Sequence, residues 1–496
     1  MSKPRSDLKP NTADYENLPL VTANGFREYD ARWLFGKEIN LLGVQALGLG
    51  LGTYLHEVGA PKVVTGHDYR SYSLSIKQAL TLGLMNAGCE VVDIGLAMTP
   101  MAYYAQFALD CPAVAMVTAS HNENGWTGVK MGAQKPLTFG PDEMTRLKLI
   151  VLGGEGKPRA GGSYSFVADF RARYLDSVTA GHKLSRPIKV VAACGNGTAG
   201  AFVIEMLKRI GADVIPMDAE LDYTFPKYNP NPEDLHMLHA IADIVRANKA
   251  DIGLGFDGDG DRCGVVDNTG AEVFADKVGV LLARDLSSRI PNAQFVVDVK
   301  STGIYLIDPV LKANGVKVDY WKTGHSYIKR RTAELKAVAG LEKSGHYFFN
   351  APLGRGYDDA SIAAIAVLEM LDHAKKPMSE MVASLPKTWS SPTMSPFCPD
   401  ESKYNVVAAI TKEYEGLKAR DETVLGRKIA SIVTVNGVRV TLEDGTWCLV
   451  RASSNKPSLV VVVESPTSDA NMHAIFKDLD GRLSKHPEVG AYDQKI

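Results

Sequence analysis

Three carboxylates in DIGLGFDGDGDRCGVVD (251–267) offer the most concentrated chemistry in the chain. Asp257, Asp259 and Asp261 recur at every second position with glycines between them, so they can converge on one hard cation. A calcium EF-hand loop needs Gly at position 6 and Glu at position 12; Arg262 and Asn268 stand there, so that reading fails. Mg2+ held by carboxylates usually takes a phosphate oxygen as well, and the following Arg262 suits phosphate. An acidic surface turn is the plain alternative.

A second group is TASHNENGWTGVK (118–130), where the strand-like AVAMV (113–117) ends in small polar residues and sets Ser120 on an exposed turn. By itself such a serine reads as a turn or cap residue. His121 is not expected to form a dyad with it, because adjacent side chains on an extended segment point apart. No G-x-S-x-G elbow supports serine-hydrolase chemistry. Lys130 reads as a solvated lysine or as an acid/base group near Ser120. In GLEKSGHYFF (340–349), Glu342, Ser344 and His346 alternate and would share one face of an extended segment. That set suits polyol recognition, and a half-exposed edge strand is the alternative. In RASSNKPSLVVVVES (451–465), Arg451, Ser453 and Asn455 precede a strand and would make an anion cradle.

A rival signal is CGNGTAG (194–200), with Gly195, Gly197 and Gly200 in the dinucleotide-binding spacing and Asp218 closing the next strand. It would support an oxidoreductase. The same glycines also suit a tight strand-to-helix turn, and nothing else in the chain suggests hydride transfer.

The elements that must position these groups repeat. Strand, Gly-rich turn, amphipathic helix, glycine and strand follow one another at 62–95, 188–218 and 294–321. Three such β-α-β units suggest three related α/β domains. VTVNGVRVTL (433–442) predicts a hairpin around Asn436-Gly437, LVVVVES (459–465) a strand, and 468–483 a capped amphipathic helix. This last part reads as α+β, joined through a Pro/Ser linker at 390–402. The expected domains are 1–167, 168–271, 272–387 and 388–496.

Composition bounds the rest. At 496 residues, 45% hydrophobic and 23% charged, the chain is an ordinary globular one of several domains. A formal net charge of −2 argues against nucleic acid or an anionic membrane as the main partner. The six cysteines are scattered, without C-x-x-C, which disfavours zinc and a disulfide framework and fits a reducing cytoplasm. The N-terminus lacks a signal-peptide core, and the apolar run Leu41 to Leu55 is too short for a bilayer and reads as a buried helix.

With TASHN, DGDGDR, the sugar-type segment and the anion cradle in this order, the chain resembles the α-D-phosphohexomutase superfamily, most of all its bacterial phosphomannomutase/phosphoglucomutase branch. The resemblance covers nearly the whole chain, from GFREYDAR (25–32) onward. It implies four domains around a central cleft, three α/β with mixed sheets and a C-terminal α+β domain. It implies interconversion of hexose 1- and 6-phosphates of mannose or glucose through phospho-Ser120 and a hexose 1,6-bisphosphate, which also serves as activator. One Mg2+ per chain is implied on Asp257, Asp259, Asp261 and the phosphoserine. Catalytic roles are implied for Ser120, Lys130, Arg262, Arg32, His121 and His346. Substrate-binding roles are implied for Lys300, His325 in KTGHSYIK (322–329), Glu342, Ser344, His346, Arg451, Ser453 and Asn455. Small sugar phosphates are the expected partners of a cytoplasmic monomer or weak homodimer. Glu123, Trp126-Thr127-Gly128, Leu341 and the SSNKP loop depart from the family pattern, which leaves substrate preference open and a phosphoglucosamine-type mutase as the alternative.

Overall fold

The computed structural model describes residues 3–454 and 456–496. It comprises two compact units, Met1–Ala275 with Ser344–Ser379, and Asp276–Lys343 with Glu380–Ile496.

In the first unit, strands β1 (Ala31–Leu34), β2 (Lys62–His67), β3 (Glu90–Leu96), β4 (Ala113–Val117), β5 (Trp126–Gly132) and β6 (Ser163–Phe166) form a mixed sheet ordered β1-β5-β4-β2-β3-β6. Strands β4, β2, β3 and β6 run parallel, β5 pairs antiparallel with β4, and β1 pairs antiparallel with β5. The run Leu41 to Leu55 lies in the buried helix Leu41–Glu57, as its composition predicts. Its glycines have a packing reason: a Cβ on Gly48 would stand 2.3 Å from the Leu80 carbonyl oxygen, so only glycine lets this helix meet the helix Ser73–Asn86 so closely. The second sheet, β11-β10-β9-β7-β8, contains β7 (Lys189–Ala193), β8 (Asp213–Met217), β9 (Ile252–Phe256), β10 (Cys263–Asp267) and β11 (Glu272–Val273). Strand β7 is parallel to β8 and β9, while β10 folds back antiparallel to β9 across the tri-aspartate loop.

In the second unit, β12 (Gln294–Asp298) lies between parallel neighbours β13 (Lys317–Trp321) and β14 (Ala339–Leu341). The chain then returns to the first unit, where β15 (Tyr347–Phe349) lies. The C-terminal part of the second unit is an antiparallel sheet, β16-β20-β19-β18-β17, made of β16 (Trp389–Ser390), β17 (Ile429–Val433), β18 (Val438–Leu442), β19 (Trp447–Ala452) and β20 (Leu459–Ser465). Helices Lys403–Ala419 and Asp469–Leu483 cover it, the second capped by Ser468, which accepts from the Asn471 N–H.

The segment 390–402 is not a free linker. Met394 and Cys398 are fully buried, and the Met394 N–H and C=O both pair with Val461 on β20. Proline interrupts a regular ladder, yet the amides between the prolines still reach the edge of the sheet. Among the described residues, no helix is long and apolar enough to cross a membrane.

Candidate active site

In parallel α/β sheets, loops leaving the carboxyl ends of the strands collect at one edge, and a site forms there. Ser120 follows β4, and the tri-aspartate loop follows β9. Ser120 is 3% exposed, so the expected exposed turn is corrected: the tri-aspartate loop and a loop of the second sheet cover it. The Asn229 amide donates to the His121 carbonyl, and Gly258 lies so close that a Cβ there would be 2.5 Å from the Ser120 carbonyl oxygen. A second correction concerns His121. Ser120 has φ +53, in the left-handed region, so the chain is not extended and the neighbouring side chains converge, with Ser120 Oγ 3.2 Å from His121 Nδ1. The Arg262 guanidinium also donates to that nitrogen. Burial, with Arg262 and Arg32 nearby, pushes the imidazole well below its ordinary value, so it is neutral.

Asp257, Asp259 and Asp261 are all fully buried, and each offers an oxygen within 4.8 Å of the others. Asp257 Oδ1 accepts the N–H groups of Asp261 and Arg262, and its Oδ2 takes Arg262 Nε at 3.0 Å and stands 3.4 Å from Ser120 Oγ. Asp259 Oδ2 accepts from Thr99 at 2.6 Å, Lys130 at 2.8 Å and Thr118 at 3.1 Å. Lys130 also pairs with Asp261 Oδ2. One oxygen each of Asp259 and Asp261 is buried without a hydrogen-bond partner. Burial, then Asp261 beside it, pushes Asp257 up to about 7 against the pull of Arg262. Asp259 is held below the usual carboxylate range despite its burial, chiefly by Lys130. Burial opposes the Lys130 charge, but Asp259 and Asp261 outweigh it and hold the ammonium well above the ordinary lysine value. Three carboxylates thus face two cations, and the orphaned oxygens are hard donors. The set fits a divalent metal.

Around this centre, Arg32 pairs with Asp30 at 2.9 Å and donates to Asn122 Oδ1 at 3.0 Å. His346 Nδ1 lies 3.0 Å from Asp358 Oδ2 and 3.8 Å from Asp261 Oδ1. Asp358 escaped the sequence reading. The pair Asp358-Asp359 precedes the helix Ala360–Ala374; Asp359 is its N-cap, which leaves Asp358 over for another task. The expected alternation of Glu342, Ser344 and His346 on an extended segment does not hold, because residues 342–345 make a turn with Gly345 at φ +90. The edge-strand alternative fails for the same reason.

The second unit carries the remaining candidates. Lys300, His325 and Glu342 are buried and follow the carboxyl ends of β12, β13 and β14 in turn. Glu342 accepts the Gly324 N–H at 2.6 Å. Asp298, also missed from sequence, ties these loops together: it accepts from Ser301, from Thr323 Oγ1 at 3.1 Å and from the Lys343 N–H at 3.2 Å. A buried Asp closing an apolar parallel strand is the signal that could have found it. Arg451 lies near the end of β19 and Ser453 opens the loop after it; the Arg451 guanidinium donates to the Ala452 carbonyl at 2.9 Å, and Lys403 donates to the Ser453 carbonyl at 2.6 Å. Asn455 lies outside the described residues.

The Gly195–Gly200 turn packs against the same centre. It opens a single 3-10 turn, Thr198–Ala201, and Thr198 Oγ1 accepts the Tyr69 N–H while its own N–H donates to the Gly258 carbonyl. Its glycines serve close packing, which is the structural reading of that motif.

Comparison with known proteins gives a consistent result. Residues 23–155, 172–270 and 274–389 match the phosphoglucomutase/phosphomannomutase alpha/beta/alpha domains I, II and III, and residues 398–482 match the C-terminal domain. A phosphomannomutase/phosphoglucomutase of Pseudomonas putida is 34% identical over 91% of this chain and 93% of its own length. A phosphoglucomutase of Neisseria gonorrhoeae is 31% identical over 91% of this chain and 95% of its own. The crystal structure of a phosphoglucomutase/phosphomannomutase family protein from Burkholderia thailandensis superposes with a TM-score of 0.84 at 29% identity, covering 94% of this chain and 98% of that one.

Proposed function

This chain belongs to the phosphoglucomutase/phosphomannomutase family and is a hexose-phosphate mutase, and we propose that it works through phospho-Ser120 on both glucose and mannose phosphates. The observation that carries this reading is Ser120 Oγ at 3.4 Å from Asp257, beside the orphaned oxygens of Asp259 and Asp261 and among Arg262, Lys130 and Arg32. A phosphoryl group on Ser120 would be matched by these cations, and transfer of this kind rests on positioning and charge neutralisation.

In the proposed cycle the free hydroxyl of a hexose monophosphate attacks phosphorus, the Oγ–P bond of Ser120 breaks, and a hexose 1,6-bisphosphate forms. His346, backed by Asp358, takes the hydroxyl proton, and Lys130, held protonated by Asp259 and Asp261, donates one to Ser120 Oγ. The bisphosphate turns round, and its other phosphoryl returns to Ser120 by the reverse steps. Mg2+ on Asp257, Asp259, Asp261 and a phosphoserine oxygen would neutralise charge on the group in transfer. Glu342 and Ser344 are assigned to O3 and O4, which glucose and mannose share in configuration. Lys300 and His325 are assigned to the sugar phosphate as well, and Arg451, Ser453 and Asn455 to the phosphate not being transferred. His121, neutral and hydrogen-bonded to Arg262, orients that guanidinium.

The reading includes the domain limits 1–167, 168–271, 272–387 and 388–496, a monomer or weak homodimer, and a cytoplasmic location, for which six buried free cysteines speak. Kinetics with glucose 1-phosphate and mannose 1-phosphate, supplied with Mg2+ and catalytic glucose 1,6-bisphosphate, test it. Formation of both 6-phosphates is expected; failure to consume either sugar defeats the reading.

A further inference from the structure

We propose that Asp68 and Arg70 form a brace that holds the Ser120 loop in its reactive conformation, which makes Arg70 a positioning residue for the transfer. The proposal rests on the mutase reading for its catalytic consequence, and on geometry alone for the brace.

Ser120 occupies the left-handed region at φ +53, a strained conformation for a residue with a Cβ that persists only where the surroundings over-determine it. The surroundings here are specific. Arg70 donates through Nη2 to the Ser120 carbonyl at 3.1 Å and to the Asn122 carbonyl. Through Nη1 it pairs with Asp68, whose Oδ2 also accepts the Ala119 N–H at 3.3 Å. Asp68 Oδ1 accepts the Arg70 N–H at 3.2 Å and the Ser73 hydroxyl. Three points of the loop, at 119, 120 and 122, are thus tied to one ion pair. The Phe225 ring covers the guanidinium with its centroid 5.5 Å away, and both partners are nearly fully buried. Asn122 passes the restraint on, since its Oδ1 takes Arg32 at 3.0 Å. The planar fork of Arg suits two carbonyls and a carboxylate at once, a pattern a lysine ammonium does not reproduce.

A buried ion pair is a weak device for stability alone, because desolvation offsets most of the attraction. The same sheet supplies the comparison. Lys77 and Asp93 form another buried pair, on the helix Ser73–Asn86 and on β3, and Asp93 also accepts from the Gly95 N–H at 2.8 Å and the Tyr164 hydroxyl at 2.9 Å, away from the Ser120 loop. Of these two pairs, Asp68–Arg70 is the one that holds the backbone of the Ser120 loop.

The test compares Arg70→Met and Arg70→Lys with Lys77→Met in the full-length protein. Turnover is measured per folded molecule, and amide hydrogen exchange is followed over residues 118–123. The brace predicts that Arg70→Met lowers kcat by about 100-fold with KM within about threefold, since a displacement near 1 Å can cost that much without removing a substrate contact. Arg70→Lys keeps the charge, and with it the partner of Asp68, so it carries the test if the Met variant fails to fold. It should still lose at least tenfold in kcat, and both variants should speed exchange at 118–123. Lys77→Met should lower the melting temperature while kcat and exchange at 118–123 stay at wild-type values. If both Arg70 variants behave like Lys77→Met, the brace is overturned. If the wild-type protein turns over no hexose phosphate, the mutase reading falls, and exchange at 118–123 alone decides the brace.

Discussion

Asp259 and Asp261 each keep one carboxylate oxygen buried and without a donor, a costly state in protein that a hard cation relieves. Asp261→Asn keeps the shape and removes the charge, so Mg2+ affinity measured by calorimetry should fall by at least about tenfold. The cysteines carry a different expectation. Burial pushes the Cys89 and Cys111 thiols up to about 11, and those of Cys194 and Cys448 up to about 12. A thiol with a raised value stays protonated until the pH passes it, and at pH 8, three units below 11, only about one in a thousand is thiolate. Native protein should therefore be almost silent to a thiol reagent at pH 8, and the denatured chain should release six equivalents. The buried acidic cluster was legible at this scale because alternation with glycine lets the three carboxylates converge. The contact of His121 with Ser120 was not, since it depends on one backbone angle that sequence does not print. Asp68 and Arg70 were read only as part of a strand-to-helix turn, because their value lies in what comes to rest against them.

At the scale of elements, the site is an edge where loops from parallel strands meet, and close approach between loops is what assembles it. Gly258→Ala would set a Cβ 2.5 Å from the Ser120 carbonyl oxygen. The backbone must shift, so a loss of about 10- to 100-fold in kcat is expected, with about 1–3 kcal/mol of stability by denaturant titration. Asp298 joins three loops of the second unit, and Asp298→Ala should raise KM for hexose phosphates more than it lowers kcat, which steady-state kinetics will read. The repeated strand, turn, helix, glycine pattern made these β-α-β units legible, because both periodicities and the helix-end glycines agree. Residues 390–397 do lie between the matched third and C-terminal domains, and what their Pro and Ser content hid is that they pack against the sheet edge at β20. The 342–345 turn misled because alternation was read without weighing Gly345.

For the whole molecule, three α/β sheets and an antiparallel C-terminal sheet carry Ser120, the three aspartates and Glu342 on loops at strand ends, with Arg32, Lys130 and Arg451 on strands β1, β5 and β19 and His325 opening a helix, while the frame itself is built of buried strands. Motifs dispersed over the length of the chain serve one reaction in this account, and Ser120 is its relay. The mutase cycle requires that this serine carry a phosphoryl group and pass it on. The direct measurement is intact and peptide mass spectrometry of the protein after incubation with glucose 1,6-bisphosphate and Mg2+, before and after addition of a hexose monophosphate. The expected result is a gain of one phosphate, about 80 Da, on Ser120, discharged to the added sugar, and no gain in Ser120→Ala. An unmodified Ser120 in a protein that nevertheless turns over, or a Ser120→Ala variant with full activity, would contradict it.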